Sequence, residues 1–216
     1  MADIKVKICG LNEAETMRAA VDAGADMVGL MFYPPSPRAV TPARAAELAR
    51  LVPAGVRKVG VFVDPGDEQL DETMGAVDLD LLQLHGSEPP ARVAEIRQRY
   101  RRAIIKAVKV GDDEDLKLAD DYAPLCEYLL FDAKPPSDMT DALPGGNGLP
   151  FDWTLLAGRG WACGWMLSGG LIPANVARAV QISGAPAVDV SSGVEFRPGA
   201  KNPAAIKAFL DAVRRL

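Results

Sequence analysis

Eight short apolar runs, each followed by a turn and then a helical pattern, constrain the fold of this chain more than any other feature of its sequence. Their starts lie roughly 22 to 35 residues apart, which is the range of a repeated supersecondary unit. Short continuous apolar runs are typical of parallel strands that are covered on both faces. The predicted strands are residues 4–9, 27–32, 58–63, 81–85, 103–108, 128–132, 163–168 and 187–191.

The segments between these runs carry the start and stop signals of helices. Thr41 followed by Pro42 is typical of an N-cap with proline in the first turn, and Asn12 with Glu15 three residues later predicts another N-cap. The predicted helices are residues 12–23, a helix beginning at 41, a weaker one at 66–75, and 89–101, 112–122, 173–181 and 202–215. Residues 133–150 break the pattern, and a short turn at 152–156 follows. The glycine-rich part at 144–148 is not a nucleotide-binding loop, because no lysine or long helix follows it. It is interpreted as a flexible flap with a role as a lid or in phosphate binding.

Eight strands that alternate with helices or their substitutes predict an α/β fold, namely a single-domain (β/α)8 TIM barrel over residues 1–216. A chain of 216 residues is near the small end for this fold. A doubly wound open sheet is the alternative, but about six strands would suffice for it. No linker or shift in composition divides the chain into two domains.

Composition narrows the partners and the location of the protein. The formal net charge of −5 argues against nucleic acids and anionic membranes, because binding them requires basic patches. Three cysteines without CxxC spacing are typical of reduced thiols in the cytoplasm, and the charged N-terminus lacks the apolar run of a signal peptide. A single histidine argues against a His-rich metal site. We therefore expect a cytoplasmic protein without metal, nucleic-acid or membrane partners.

The alternation of side chains places polar residues on the inner face of the predicted barrel. In a barrel strand, alternate side chains face the interior and the surrounding helices. The apolar residues of four strands take the outer positions, which leaves as inward polar residues Lys7, Cys9, Gln83, His85, Asp132, Asp189 and Ser191. Several of these residues end their strands, and that end carries the active site in barrel enzymes.

Cys9 and Asp132 are the candidates for proton transfer. Lys7 shares a face with Cys9, and a nearby ammonium favours the thiolate, which acts as a base or nucleophile. The alternative for Cys9 is a small buried apolar residue. Asp132 directly follows an apolar strand, where a carboxyl either serves as a general acid or caps the next loop. His85 is interpreted as a polar group that lines the site rather than as a catalyst.

Three segments are suited to binding anions. Arg38 follows three prolines in a stiffened loop, which suits bidentate recognition of a carboxylate. Gly169 and Gly170 follow the seventh strand, and Ser192 and Gly193 follow the eighth. Glycines there allow backbone N–H groups to approach an anion, and the loops after these two strands frequently bind phosphate in barrels.

The order of the sequence motifs is specific. The motifs are KICG at 7–10, SPR at 36–38, VGVF at 59–62, QLHG at 83–86, LFDAK at 130–134, GGNG at 145–148, FDW at 151–153, SGGLIPANV at 168–176 and DVSSGVE at 189–195. With this ordered set, nearly the whole chain resembles the phosphoribosylanthranilate isomerase family. One departure is a segment between Lys134 and Gly145 that is a few residues longer than the common family pattern.

The resemblance implies a cofactor-free Amadori rearrangement in tryptophan biosynthesis, which converts N-(5-phosphoribosyl)anthranilate into 1-(2-carboxyphenylamino)-1-deoxyribulose 5-phosphate. It implies Asp132 as the general acid, Cys9 as the general base and Arg38 as the partner of the anthranilate carboxylate. The loops at Gly169-Gly170 and Ser192-Gly193 would hold the phosphate. The other residues expected to contact the substrate are Lys7, Gln83, His85, Asp189 and Ser191.

Two other functions remain open from the sequence. Another phosphosugar barrel enzyme, such as ribulose-phosphate epimerase or indole-glycerol-phosphate synthase, would by resemblance have several histidines or an extra N-terminal segment. A non-catalytic barrel that binds a phosphorylated ligand would keep the glycine loops but would not need both Cys9 and Asp132. The expected partner is a small phosphorylated aminosugar, and the expected state is a monomer or weak homodimer.

Overall fold

A closed barrel of eight parallel strands forms the centre of the molecule in a computed structural model that describes residues 4–135, 145–146 and 148–216. The strands pair in sequence order, and the eighth pairs with the first, with Lys7 opposite Asp189. They are β1 (Lys5–Cys9), β2 (Met27–Met31), β3 (Arg57–Phe62), β4 (Leu81–Leu84), β5 (Ala103–Val110), β6 (Tyr128–Ala133), β7 (Gly164–Leu167) and β8 (Ala187–Val190). The predicted (β/α)8 barrel is confirmed, and the open-sheet alternative is wrong.

Helices cover the outside of the barrel. They are α1 (Ala14–Asp22), α2 (Pro42–Ala49), α3 (Asp67–Ala76), α4 (Pro90–Tyr100), α5 (Leu118–Tyr122), α6 (Val176–Ser183) and α7 (Pro203–Val213). Short 3-10 helices lie at Asp115–Lys117, Ala123–Leu125, Trp153–Leu156 and Ser192–Val194. A small antiparallel hairpin of β9 (Glu195–Arg197) and β10 (Ala200–Lys201), which the sequence pattern did not predict, follows β8. None of the helices in the described ranges has the length and apolar character needed to cross a membrane.

The helix starts show which capping signals act. The Thr41 hydroxyl accepts a hydrogen bond from the Arg44 N–H at 3.2 Å, so the predicted cap of α2 is confirmed. The predicted cap at Asn12 is wrong, because α1 begins at Ala14 and the Asn12 amide donates instead to the Gly199 carbonyl at 3.0 Å. The bond to a hairpin that is distant in sequence therefore orients the Asn12 amide, and its Oδ1 caps no backbone N–H among the described residues.

Local side-chain hydrogen bonds also explain two helices that differ from prediction. Within 112–122, the carboxylates of Asp112 and Asp115 accept hydrogen bonds from nearby backbone N–H groups, and the segment divides into a 3-10 helix and the short α5. The sixth helix begins at Val176 rather than Pro173, because Asn175 bonds both the Ile172 N–H and the Gly170 carbonyl and holds a turn there.

Two apolar layers separate the barrel interior from the helical shell. The outer layer packs the strands against the helices, and it includes Val6, Ile8, Leu82, Leu84, Leu129, Phe131, Val188 and Val190. The inner layer fills the barrel with Cys9, Met27, Val59, Val61, Leu81, Ile105, Ala107, Leu130, Met166 and Ala187. The predicted alternation within the strands is thus confirmed. Because side chains fill the interior, polar groups are left to gather at the carboxyl ends of the strands.

Candidate active site

A cavity with about 660 Å³ of empty space lies at the carboxyl ends of the barrel strands. Cys9 lines it from the end of β1, and Asp132 lines it from β6. The other predicted site residues that line it are Arg38, Gln83, His85, Gly169, Gly170, Asp189, Ser191, Ser192 and Gly193. Lys7 is not in the lining, because it is fully buried one inward position earlier on β1. The barrel thus brings residues from most of the chain to one cavity.

Lys7 is held by a buried carboxylate. Its Nζ donates to Asp189 Oδ1 at 2.7 Å, and the Ser168 hydroxyl donates to Asp189 Oδ2 at 3.2 Å. Burial opposes the charge on Lys7, but attraction to Asp189 and Cys9 and the hydrogen bonds to them together outweigh burial and raise the pKa of Lys7. Lys7 therefore keeps its positive charge inside the barrel.

The Cys9 thiol does not ionise as readily as the sequence suggested. Burial raises the pKa of Cys9, the ammonium of Lys7 lowers it and the carboxylate of Asp189 raises it, so the pKa lies above its ordinary value. Lys7 does favour the thiolate, as expected from the sequence, but its effect on the pKa is smaller than that of burial. The physical reason is that a buried thiolate loses its hydration, and the charge of Asp189 adds to this cost.

A second buried network fixes Arg38. Its Nε and Nη2 donate to the two carboxylate oxygens of Glu195 at 2.8 and 2.9 Å, and Lys201 Nζ lies 2.7 Å from Glu195 Oε1. Lys201 also donates to the Ser191 hydroxyl at 3.1 Å, and that hydroxyl donates to the Cys9 carbonyl at 3.2 Å. Burial favours a neutral Glu195, but the hydrogen bonds and the charges of Arg38 and Lys201 together outweigh burial and lower the pKa of Glu195.

The sequence did not single out Glu195 or Lys201. Glu195 ends the DVSSGVE motif, and Lys201 lies in the unpredicted β10, so no pattern around Lys201 signals a role. Burial lowers the pKa of Lys201, and attraction to Glu195 only partly offsets this. The charged network of the site consists of Lys7, Asp189, Arg38, Glu195 and Lys201.

The opposite side of the cavity carries a row of three polar side chains. Gln83 Nε2 lies 2.8 Å from His85 Nδ1, and His85 Nε2 lies 3.2 Å from Asp132 Oδ2. Asp132 Oδ1 accepts a hydrogen bond from the Ala133 N–H at 2.9 Å. The Asp132 carboxyl is therefore supported at both oxygens by groups that carry no formal negative charge.

A buried ion pair, also missed by the sequence reasoning, supports the turn after His85. Lys106 Nζ lies 2.8 Å from Glu88 Oε2 and donates to the Gly86 carbonyl at 2.8 Å. The Glu88 carboxylate accepts from the N–H groups of Gly86 at 3.0 Å and of Asp64 at 2.8 Å. Lys106 and Glu88 thus hold the strand end from which His85 projects.

The glycine loops approach one another closely. A Cβ on Gly193 would overlap the Leu171 carbonyl, and a Cβ on Gly170 would lie 2.7 Å from the Pro150 nitrogen. Gly170 also has a φ of +63°, which favours glycine. Three loops, which follow β6, β7 and β8, therefore bring backbone groups together on one side of the cavity.

The predicted flap at 144–148 is described only in part. Gly145 lies against His85, and the Gly146 carbonyl accepts a hydrogen bond from Arg38 Nη2 at 3.3 Å. Residues 136–144 and Asn147 lie outside the described residues, so the flap stays a prediction. In the described ranges, no group of three or more His, Cys, Asp and Glu side chains is placed to hold a metal ion.

Comparison with known proteins identifies the family. The family model for N-(5'phosphoribosyl)anthranilate (PRA) isomerase matches residues 6–212. The chain belongs to this family. A PRA isomerase of Rhodospirillum centenum is 58% identical over 207 residues, with 96% of each chain covered. One of Paramagnetospirillum magneticum is 55% identical over 211 residues, covering 98% of this chain and 97% of the relative.

Solved structures of the PRA isomerase family share the architecture. A crystal structure of phosphoribosyl anthranilate isomerase in complex with reduced 1-(o-carboxyphenylamino)-1-deoxyribulose 5-phosphate superposes with a TM-score of 0.83. It is 35% identical in sequence and covers 99% of this chain and 100% of that chain. As a member of the family, the chain is an isomerase built on a TIM barrel.

Proposed function

We propose that this chain isomerises N-(5'-phosphoribosyl)anthranilate to 1-(2-carboxyphenylamino)-1-deoxyribulose 5-phosphate in the biosynthesis of tryptophan. Family membership supports the reaction, and the phosphorylated compound bound to a related enzyme supports the substrate class. The observation that carries the assignment of roles is the geometry of one cavity. It places Asp132, Cys9, a fixed guanidinium and the glycine loops around a single volume.

Asp132 acts as the general acid. Its carboxyl protonates the ring oxygen of the ribose while the bond between that oxygen and C1 breaks, and the nitrogen lone pair forms an iminium with C1. The carboxylate that remains accepts hydrogen bonds from the Ala133 N–H and from His85. These donors stabilise the charge that develops as the proton leaves.

Cys9 acts as the general base. Its thiolate removes the proton from C2, and the electron pair of that C–H bond forms the double bond between C1 and C2 of an enolamine. Loss of the C2 hydroxyl proton and protonation of C1 then give the ketone. A raised pKa makes the thiolate scarce but also makes it a stronger base, which favours transfer from carbon.

The two groups can act on one sugar from different sides. β7 and β8 lie between β6 and β1 in the closed ring, so Asp132 and Cys9 project from well-separated strands. Acid attack on the ring oxygen and removal of the C2 proton require such a separation. A substrate held at both ends would keep the reacting carbons between the two groups.

The two ends of the substrate are held by different groups, a guanidinium at one end and backbone groups at the other. The contacts of Arg38 with Glu195 and Gly146 use Nε and Nη2, which leaves the N–H groups of Nη1 for the anthranilate carboxylate. The backbone of Gly169-Gly170 and Ser192-Gly193 receives the phosphate. These local groups bind an anion at each end although the net charge of the whole chain is −5.

A coupled fluorescence assay tests the proposed reaction. Anthranilate, phosphoribosyl pyrophosphate and a phosphoribosyltransferase generate the labile substrate in place, and the purified chain is then added. We expect the substrate fluorescence to disappear faster than in the spontaneous reaction, in proportion to the amount of chain. A rate equal to the spontaneous one at micromolar protein would overturn the assignment.

We also propose that residues 1–216 act as one domain in the cytoplasm, as a monomer or weak homodimer. The three cysteines, which are free thiols, support the location. In the described ranges, the large apolar side chains that are exposed lie apart in sequence, at Leu118, Ile172 and Phe196. Light scattering after size-exclusion chromatography measures the oligomeric state. A stable assembly at nanomolar protein concentration would contradict the proposed monomer or weak homodimer.

A further inference from the structure

The row of Gln83, His85 and Asp132 contains one group whose state the structure can decide. His85 makes one hydrogen bond through each ring nitrogen, to Gln83 Nε2 at 2.8 Å and to Asp132 Oδ2 at 3.2 Å. A neutral imidazole carries a single proton, so one nitrogen donates and the other accepts. The partner of each nitrogen determines which tautomer is present.

The Gln83 amide determines the tautomer of His85. An amide nitrogen has only hydrogens to offer, so Gln83 Nε2 donates to His85 Nδ1 and occupies its lone pair. The ring proton must then lie on Nε2, which faces Asp132. Gln83 and His85 are two positions apart on the inner face of the barrel, and only 1% and 7% of their surfaces are exposed, so bulk water does not compete for these bonds.

The tautomer decides where the proton of Asp132 can go. With a proton on Nε2, His85 donates to Asp132 Oδ2, and the proton of the carboxylic acid stays available to the substrate. With a bare Nε2, the ring would accept that proton in a hydrogen bond, and the proton would be directed at His85 rather than at the substrate. Hydrogen-bond acceptance by Nε2 would therefore compete directly with proton delivery to the ribose ring oxygen.

We propose that Gln83 is a positioning residue that locks His85 in the Nε2–H tautomer and thereby keeps the proton of Asp132 available for the substrate. The inference rests on the proposed role of Asp132 as the general acid. It gives Gln83 a function that contact with the substrate alone would not require. The proton itself is transferred by Asp132, and His85 remains a donor throughout.

Neighbouring backbone and side chains hold the geometry of the row of Gln83, His85 and Asp132. The backbone at Gly145 lies against the His85 ring and Asp132, and Lys106 with Glu88 holds the turn after His85. Gln83 Oε1 is buried and has no hydrogen-bond partner among the described residues. Within those residues, the hydrogen bond to His85 is therefore the contact that orients the Gln83 amide.

Nitrogen NMR reads the tautomer directly, because His85 is the one histidine of the chain. The full chain is labelled with ¹⁵N, expressed without a histidine tag, and examined through two-bond couplings between the ring carbons' hydrogens and the ring nitrogens. We expect a protonated Nε2 and a bare Nδ1 at neutral pH. A protonated Nδ1 with a bare Nε2 in the wild-type chain would overturn the proposal.

The substitution Gln83→Glu separates the hydrogen-bond role from side-chain size. A carboxylate at the same distance can only accept, so it should place a proton on Nδ1, and the Nδ1 resonance should move to the protonated position. We expect kcat to fall about tenfold or more, with a smaller change in KM, because proton delivery is impaired. An unchanged Nδ1 resonance in this variant, whatever its activity, contradicts the proposal.

A double-substitution cycle excludes a merely structural role. His85→Gln places an amide N–H near Asp132 and has no tautomer, so in that background Gln83→Glu should change kcat less than about threefold. An equal loss of kcat with and without His85 would show that Gln83 acts by packing and would overturn the inference. Gln83→Met, which has similar length and no hydrogen bond, should lower kcat less than Gln83→Glu does.

The two proposals can fail separately. A wild-type chain without isomerase activity overturns the proposed function, whereas the NMR spectrum reports the tautomer of His85 in an active or inactive chain. An active chain with the wrong tautomer overturns only the role of Gln83.

Discussion

The β1 and β8 side of the cavity surrounds Cys9 with ion pairs, whereas the β4 and β6 side surrounds Asp132 with an amide, an imidazole and a backbone N–H. The first side holds the charged network, with three cations and two carboxylates on residues that are almost fully buried. The second side holds one carboxylate in the row with Gln83 and His85. The two proton-transfer groups are thus positioned by different interactions.

The difference shows that buried charges near a group do not by themselves ionise it. Burial is the largest influence on the Cys9 thiol, and it raises the pKa although Lys7 and Lys201 act in the opposite direction. One positive charge remains in excess in this network. That excess is available to a thiolate at Cys9 or to the carboxylate of a bound ligand. Substitutions on each side of the cavity can separate these two arrangements.

Loss of the acid should have the largest effect. Asp132→Asn keeps the shape of the side chain but removes the transferable proton, so we expect kcat to fall by at least ~10²-fold while KM changes little. Steady-state kinetics in the coupled assay measure both constants. Asp120→Asn, at an exposed position, is the control and should behave like the wild type. Turnover near the wild-type value in Asp132→Asn would remove this residue from the mechanism.

Loss of the base should have a comparable effect from the other side of the cavity. Cys9→Ser replaces the thiol with a hydroxyl that does not ionise near neutral pH, and we expect kcat to fall at least ~10²-fold with binding largely kept. Cys163→Ser is the matched control, because Cys163 is half-buried and does not line the cavity. Equal kinetics of the two serine variants would contradict the role of Cys9.

Breaking the charged network should destabilise the fold. Lys201→Met removes one of the two cations bound to the buried Glu195 side chain, and loss of a hydrogen-bond partner from a buried polar group costs about 1–3 kcal/mol of unfolding free energy. Urea unfolding followed by circular dichroism measures the change. The exposed pair of Lys207 with Asp211 provides the control Lys207→Met, for which no measurable change is expected. Equal stability of the two variants would show that the network is dispensable.

Removal of the guanidinium should weaken binding rather than turnover. Arg38→Ala is expected to raise KM about tenfold or more with a smaller change in kcat, because a charge-assisted hydrogen bond contributes ~1.5–3 kcal/mol. Arg44→Ala, on the exposed face of α2, should leave KM unchanged. The carboxylate contact would be refuted by an Arg38→Ala variant with the KM of the wild type.

The pH dependence of Cys9 alkylation is expected to show the smallest effect. It tests most specifically whether burial or the nearby cations determine the pKa of the thiol. Since burial raises the pKa of Cys9 above its ordinary value of 9.0, fewer than half of the Cys9 thiols are ionised at pH 9.0. In a variant with Cys126 and Cys163 replaced by alanine, alkylation by iodoacetamide should therefore still increase with pH beyond 9, because the thiolate is the reactive form. A plateau reached below pH 9 would show that the cations dominate.

Local rules predicted the parts of the fold that depend on neighbours in sequence. The alternation of apolar and polar residues identified the inner face of β1, β4, β6 and β8, because side chains alternate along a strand wherever it lies. Capping chemistry identified the start of α2 at Thr41, and the helix predicted over 202–215 begins at Asn202, whose side chain accepts from two backbone N–H groups. The same reasoning was wrong at Asn12, whose amide donates to the distant Gly199 carbonyl instead of capping α1.

The sequence by itself determined the eightfold repeat, the polar faces of the strands and the ordered motifs of the family. Only the tertiary structure decided the partners of the charges: Lys7 meets Asp189 across 182 residues, and Arg38 meets Glu195 across 157. It also decided the raised pKa of Cys9 and the order of Gln83, His85 and Asp132. Hydration and electrostatic attraction depend on which groups surround an atom in space, and closing the barrel is what assembles those surroundings.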